Sequence, residues 1–168
     1  FAFPSINSAH IKATGTFGGF PATYVEFENG ESDWIEFTTM DPIPSMIKTH
    51  DVTWNWFRYD TGSDSWIKFD TTSHTIHAIN KDPVGLDYVW KKIVEWTCDW
   101  CEGLPDDDKT IADAIINGFD EDEPLQYGGP GMRVHEILST GDGMCLGLAH
   151  VFHDACSSQG VYAPCMCF

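Results

Sequence analysis

Two hydrophobic periods share this chain, and they change over at Lys81-Asp82-Pro83. Before that point apolar residues alternate. Thr23, Val25 and Phe27 fall on one side of an extended segment, and Val52, Trp54 and Trp56 on one side of another. A period of two is that of a strand with one face in a core. After it, Val89, Trp90, Ile93, Val94 and Thr97 recur from Leu86 onward at the spacing of a helical stripe. A chain of 168 residues has room for both patterns and for a core under each. The fold class read from this is α+β.

Within the first part, strands are expected at Thr23 to Phe27, at Trp34 to Phe37 after an Asn29-Gly30 turn, and at Asp51 to Tyr59. Two more follow, Ser65 to Phe69 after Thr61-Gly62-Ser63-Asp64, and Thr75 to Ile79. Short strands with turns between them predict a β-sandwich over residues 1–82. In the second part a helix runs to about Cys101 and is broken by Gly103, Leu104 and Pro105. A second is expected from Thr110, where Thr110-Ile111-Ala112-Asp113 has the shape of a capping box, with Ile111, Ile115 and Phe119 as its stripe. A short helix over Val134 to Leu138 precedes Gly141-Asp142-Gly143-Met144-Cys145. Leu148, Ala149, Phe152, Ala155 and Cys156 then share helical spacing with Cys145, up to a stop at Gly160. Val161 to Phe168 reads as the start of a buried strand.

Charge narrows the function classes. Twenty-six acidic residues stand against nine Lys and Arg, a formal charge of −17. Such a surface repels phosphate backbones, which argues against a nucleic-acid partner. It suits an acidic, saline or extracellular setting, and a secreted or extracellular location is expected, although solubility alone accounts for the charge as well. No apolar run approaches bilayer length and no signal peptide is visible. A chain beginning at Phe1 rather than Met reads as a processed product or a fragment.

The candidate chemistry centres on Cys145. A thiol in the first turn of a helix, after a glycine-rich turn, meets unpaired backbone N–H groups and the positive end of the helix dipole. Both favour thiolate. The same N–H groups can stabilise an oxyanion, and the glycines let a substrate backbone approach. A small buried core residue is the competing reading. His135 lies ten residues before Cys145, while His150 and His153 lie on its helix. His74 and His77 fall in the β-rich part. Any of these is a weak candidate for a general base.

Other clusters have two readings each. Cys98-x-x-Cys101 with Cys165-x-Cys167 has the composition of a four-thiolate zinc site, or of ordinary core thiols or a disulfide, the reading preferred here. His150-x-x-His153 with Asp154 is a metal pair or a solvated face. Asp106 to Asp108 and Asp120 to Glu123 lack the spacing of a calcium loop and read as solvated charge. The seven Trp residues are a sugar-stacking platform or core, with Trp54 and Trp56 read as core. No cofactor or metal is called for.

The stretch Ile137-Leu138-Ser139-Thr140-Gly141-Asp142-Gly143-Met144-Cys145, the helix with Leu148, Ala149 and Phe152, and Gly160-Val161-Tyr162-Ala163 together resemble the amino-terminal half of a transglutaminase-like, papain-related core. The segment Thr53 to Ile79, with Trp54-x-Trp56 and Ser73-His74-Thr75-Ile76-His77, resembles the immunoglobulin-like β-sandwich domains placed before such cores. The resemblance implies domains at 1–82 and 83–168. It also implies a protein or peptide substrate and acyl transfer or amide hydrolysis through a Cys145 thioester. The family's catalytic His and Asp or Asn lie on strands after the cysteine helix. In this sequence those positions fall beyond Phe168, so only Cys145 carries over, and a second chain or self-assembly completing the core is expected. The alternative is a non-catalytic extracellular binding or assembly module with a degenerate fold of this kind.

Overall fold

The computed structural model describes residues 3, 6–122 and 124–163. The fold is mixed α and β, and it divides into two compact units, Phe1–Ile43 with Asp51–Ile76, and Pro44–His50 with His77–Phe168.

The first unit is built on one antiparallel sheet. Its strands β1 (Ser8–Gly15), β2 (Phe20–Glu26), β3 (Lys48–Asp60, in this unit from Asp51) and β4 (Ser65–Ala78, in this unit to Ile76) lie in the order β2-β1-β3-β4. β1 pairs antiparallel with β2 from Ser8 opposite Glu26, and with β3 from Ile11 opposite Arg58 to Gly15 opposite Trp54. β3 and β4 form a hairpin. Its turn is held by the Asp60 carboxylate, which accepts from the Ser63 N–H at 3.0 Å and the Ser63 hydroxyl at 2.6 Å. Alternation then does what the period predicts. Ala9, Ile11 and Ala13 from β1 and Val52, Trp54 and Trp56 from β3 are buried together, with Phe20, Val25 and Phe27. On the other face Lys12 Nζ sits 4.3 Å from the Trp66 ring centre.

Among the described residues this is a single sheet, not the sandwich expected over residues 1–82. The reason is length. The stretches expected as separate strands, Ser65 to Phe69 and Thr75 to Ile79, fall, apart from Ile79, in one 14-residue strand paired to a 13-residue neighbour. The chain that a second sheet would need is used in one long hairpin. Trp34 to Phe37 is also not a strand. It crosses the sheet's apolar face as irregular chain and packs Ile35 and Phe37 on the core.

The second unit carries α1 (Lys91–Trp100), α2 (Asp108–Glu121), α3 (Val134–Thr140) and α4 (Cys145–Ser158). Two short strands, β5 (Gln126–Tyr127) and β6 (Asp142–Gly143), pair in parallel. Ile93, Ile111, Ile115, Ile137 and Val151 are almost wholly buried at the centre. α1 starts at Lys91, later than the periodicity suggests, because Trp90 before it is extended, with φ −77° and ψ 120°. α2 starts earlier than Thr110. Its cap is Asp107, whose carboxylate accepts from the Thr110 N–H at 2.8 Å, so the expected capping role passes from Thr110 to Asp107. Asp113 pairs with Lys109 instead.

One polar network lies inside this unit. Gln159 is wholly buried. Its Nε2 donates to Thr97 Oγ1 at 2.8 Å and reaches Cys98 Sγ at 3.7 Å, and its Oε1 accepts from the Asn80 N–H at 3.0 Å. A buried amide is costly unless its groups are paired, and here both ends are. The network ties the end of α4 to α1 and to the chain at Asn80. The strand expected from Val161 to Phe168 is absent over 161–163, and the rest of it lies outside the described residues.

Candidate functional site

The chain into Cys145 is fixed by backbone contacts. α3 ends at Gly141, which takes a left-handed φ of +83° and donates its N–H to the Ile137 carbonyl at 2.8 Å. The next two residues pair with Gln126 and Tyr127 as β6. Met144 then donates to the Gly131 carbonyl at 2.9 Å, and its own carbonyl accepts from the Leu148 N–H at 2.9 Å. That last bond is the first rung of α4. The N–H groups of Cys145, Leu146 and Gly147 precede the ladder, and no side chain caps them. Cys145 itself is exposed and is the first residue of the helix.

This differs from the sequence reading in one respect. Cys145 was expected on the same apolar stripe as Ala155 and Cys156. The buried residues of α4 are Gly147, Val151, Ala155, Cys156, Ser157 and Ser158, so Ala155 and Cys156 turn inward as expected and Cys145 does not. The orientation is set at Gly147. A Cβ there would stand 2.5 Å from Ile137 Cδ1 and 2.8 Å from the Gly131 oxygen, so only glycine lets the helix lie this close to α3 and the 131 loop. With that side turned inward, Cys145 is left beside the buried stripe and open to solvent.

Two concave surfaces flank it in the chain. An apolar groove of about 270 Å³ is lined by Ile116, Phe119, Leu125, Leu148 and Phe152, the last two standing three and seven residues after Cys145. A second groove, of about 490 Å³, is formed by Tyr127, Gly128, Gly129, Pro130 and Met144. The glycine-proline segment reads from sequence as a turn alone. Its role as a wall beside Met144 depends on the β5–β6 pairing, which a two-residue strand does not announce.

Among the described residues no histidine hydrogen-bonds the Cys145 thiol. His135 lies against Trp90, with ring centres 6.5 Å apart. His153 Nδ1 is 3.1 Å from Asp154 Oδ1, its sequence neighbour. His77 Nδ1 meets Thr49 Oγ1 at 3.1 Å. Among the described residues nothing hydrogen-bonds Cys145 Sγ.

The other described cysteines have a different environment. Cys98, Cys101 and Cys156 are buried and unbridged. Burial pushes the Cys101 thiol up to about 12 and the Cys156 thiol up to about 11, and it raises Cys98 as well. They are core thiols, and the zinc reading with Cys165 and Cys167 rests on residues outside those described. Among the described residues no group of three or more His, Cys, Asp or Glu side chains is arranged to hold a metal. The Asp106 to Asp108 run has local partners. Asp106 and Asp108 both reach Lys81 Nζ at 2.8 Å, which raises the lysine's pKa, Asp106 first.

Among the described residues no helix is long and apolar enough to cross a membrane. Comparison with protein-family models, with curated proteins and with solved structures gave no match to this chain.

Proposed function

We propose that the chain is a transglutaminase-like cysteine acyltransferase or amide hydrolase that acts through a thioester at Cys145 on a protein or peptide substrate. The observation that carries this reading is an exposed cysteine as the first residue of a 14-residue helix, with uncapped N–H groups on the same turn. In this mechanism the Cys145 thiolate adds to the substrate carbonyl. N–H groups of the first turn stabilise the oxyanion, and loss of the amine leaves the acyl group on sulfur. The amine must take up a proton, and an acceptor amine or water must then cleave the thioester and lose one. The groove at Tyr127 to Pro130 and Met144 is suited to hold extended substrate backbone beside the thiol. The acidic balance supports a secreted or extracellular setting.

A second reading is favoured by one observation, that no histidine reaches Cys145 among the described residues. In it the protein is a non-catalytic extracellular binding or assembly module. Incubation with a p-nitrophenyl ester separates the two. The enzyme reading expects an acyl adduct on Cys145 by peptide mass spectrometry, steady turnover after it, and loss of both in Cys145→Ser. A stable adduct with no turnover would favour the module. A folded protein in which Cys145 takes neither the acyl group nor iodoacetamide at neutral pH ends the nucleophile reading.

A further inference from the structure

Trp34 stands fully in solvent, at 104% of its reference exposure. A lone exposed hydrophobic residue needs no explanation. Trp34 is not alone. With Ile35, Phe37 and Trp56 it lines an open, mainly apolar groove of about 500 Å³, with Asp33 at its wall. A second groove of about 500 Å³ shares Asp33 and Ile35 with the first and continues past Tyr24, Glu26, Glu28 and Glu31. Both belong to the sheet unit, beside its outer strand β2.

The charge along this path is one-sided. Glu26, Glu28, Glu31 and Asp33 are all exposed, and none forms an ion pair among the described residues. Two cations of the same unit are engaged elsewhere. Lys12 lies over the Trp66 ring, and Arg58 is 3.7 Å from Asp60. An apolar groove with an exposed indole that runs into unpaired carboxylates selects its occupant. Anionic groups are repelled. A neutral sugar would stack on the indole and donate hydroxyls to the carboxylates, but it leaves their four charges uncompensated. A guanidinium uses both, since it stacks on an indole face and pairs with carboxylates in its plane.

We propose that these joined grooves dock a basic, arginine-bearing peptide segment of a partner protein. One guanidinium lies on Trp34, its neighbours pair with Glu28, Glu31 and Asp33, and an interleaved apolar side chain enters against Ile35 and Phe37.

Calorimetric titration of the whole chain with a synthetic nonapeptide of alternating arginine and leucine tests this. The expected result is one-to-one binding that weakens with added salt. Trp34→Ala weakens it by about two- to thirty-fold, the range of a cation on an indole face. The triple change Glu28→Gln, Glu31→Gln, Asp33→Asn weakens it further and flattens the salt dependence. All four residues are exposed, so the variants keep the fold, which circular dichroism checks. The proposal is overturned by no binding at millimolar peptide, by affinity unchanged in Trp34→Ala, or by an equal loss from Asp120→Asn with Glu121→Gln in the other unit, which would mean bulk charge alone. Binding of a neutral oligosaccharide in a Trp34-dependent way, without binding of the peptide, would assign the groove to a glycan and overturn it too.

Discussion

The sheet unit fills its core with rings, whereas the helical unit fills its core with branched aliphatics and thiols. In the first, Phe20 stacks on Trp56 at 5.5 Å and tilts against Trp54 at 4.8 Å, with Phe27 buried nearby. In the second, the fully buried side chains include five isoleucines, Val151, Cys98 and Cys101. The rings of Trp100 and Phe119 are only partly buried at its margin. The difference follows from what covers each element. One face of a four-stranded sheet, roofed by irregular chain, needs volume per residue, and indoles supply it. Each brings an N–H that must be paired, and Trp54 Nε1 donates to the Thr16 carbonyl at 2.9 Å while Trp56 Nε1 donates to Thr72 Oγ1 at 2.8 Å. Helices packed on helices need the opposite, side chains short enough for close approach. Gly118 shows the extreme, with room for no Cβ beneath the Trp100 ring.

The largest expected effect is at a ring. Trp54→Ala removes most of a buried indole and lowers stability by about 3–5 kcal/mol, read from the denaturant midpoint. Trp54→Phe keeps a ring and loses mainly the bond to Thr16, at about 1 kcal/mol. A Trp54→Ala loss no greater than that of Trp54→Phe would mean that rings are not what fills the sheet's core. In the helical unit Ile115→Ala is expected to cost about 2–5 kcal/mol and Ile115→Val about 0.5–1.5 kcal/mol. A flat series there would mean a core with slack. Gly147→Ala tests close approach directly. Its Cβ meets the Gly131 oxygen, a backbone atom, and the expected loss is about 1–3 kcal/mol by thermal melting. A neutral outcome would show that the 131 loop yields.

The smallest effect lies at the surface of the same unit. Hydrogen bonds from Thr110, first its hydroxyl and then its N–H, hold the Asp107 carboxyl below the usual range. A lowered folded pKa contributes stability that is complete above the unfolded value of about 4 and is lost as pH falls through the folded one. Asp107→Ala should therefore flatten the acid side of the stability profile between about pH 5 and pH 2 and leave its neutral shape unchanged. Parallel acid limbs in both proteins would remove the cap from the account of α2.

Much of this was legible because apolar period is a wide signal. Val52, Trp54 and Trp56 announce β3, and Ile111, Ile115 and Phe119 announce α2. β1 escaped because its inward residues include Ala9 and Ala13, too small to mark a face. Trp34 to Phe37 misled because its alternation places Ile35 and Phe37 on the core without any ladder of hydrogen bonds. At the candidate site, the glycines before Cys145 gave the helix start correctly. Its exposure was hidden, since the roll of α4 is decided by a steric contact at Gly147 that hydrophobic pattern does not encode. The exposed Trp34 was hidden for a related reason: composition cannot tell a ring in a core from a ring at its rim.

The Gln159 network has a consequence for how the chain is made. Its partners lie 79, 62 and 61 residues earlier, at Asn80, Thr97 and Cys98. During synthesis, at roughly 5–20 residues per second, α1 leaves the ribosome several seconds before the side chain that satisfies its inward polar groups. Until then Thr97 lacks its partner at Gln159, and the groove awaiting α4 stays open to water or to other chains. The helical unit therefore closes late, and among the described helices the one that presents Cys145 is the last to be set in place.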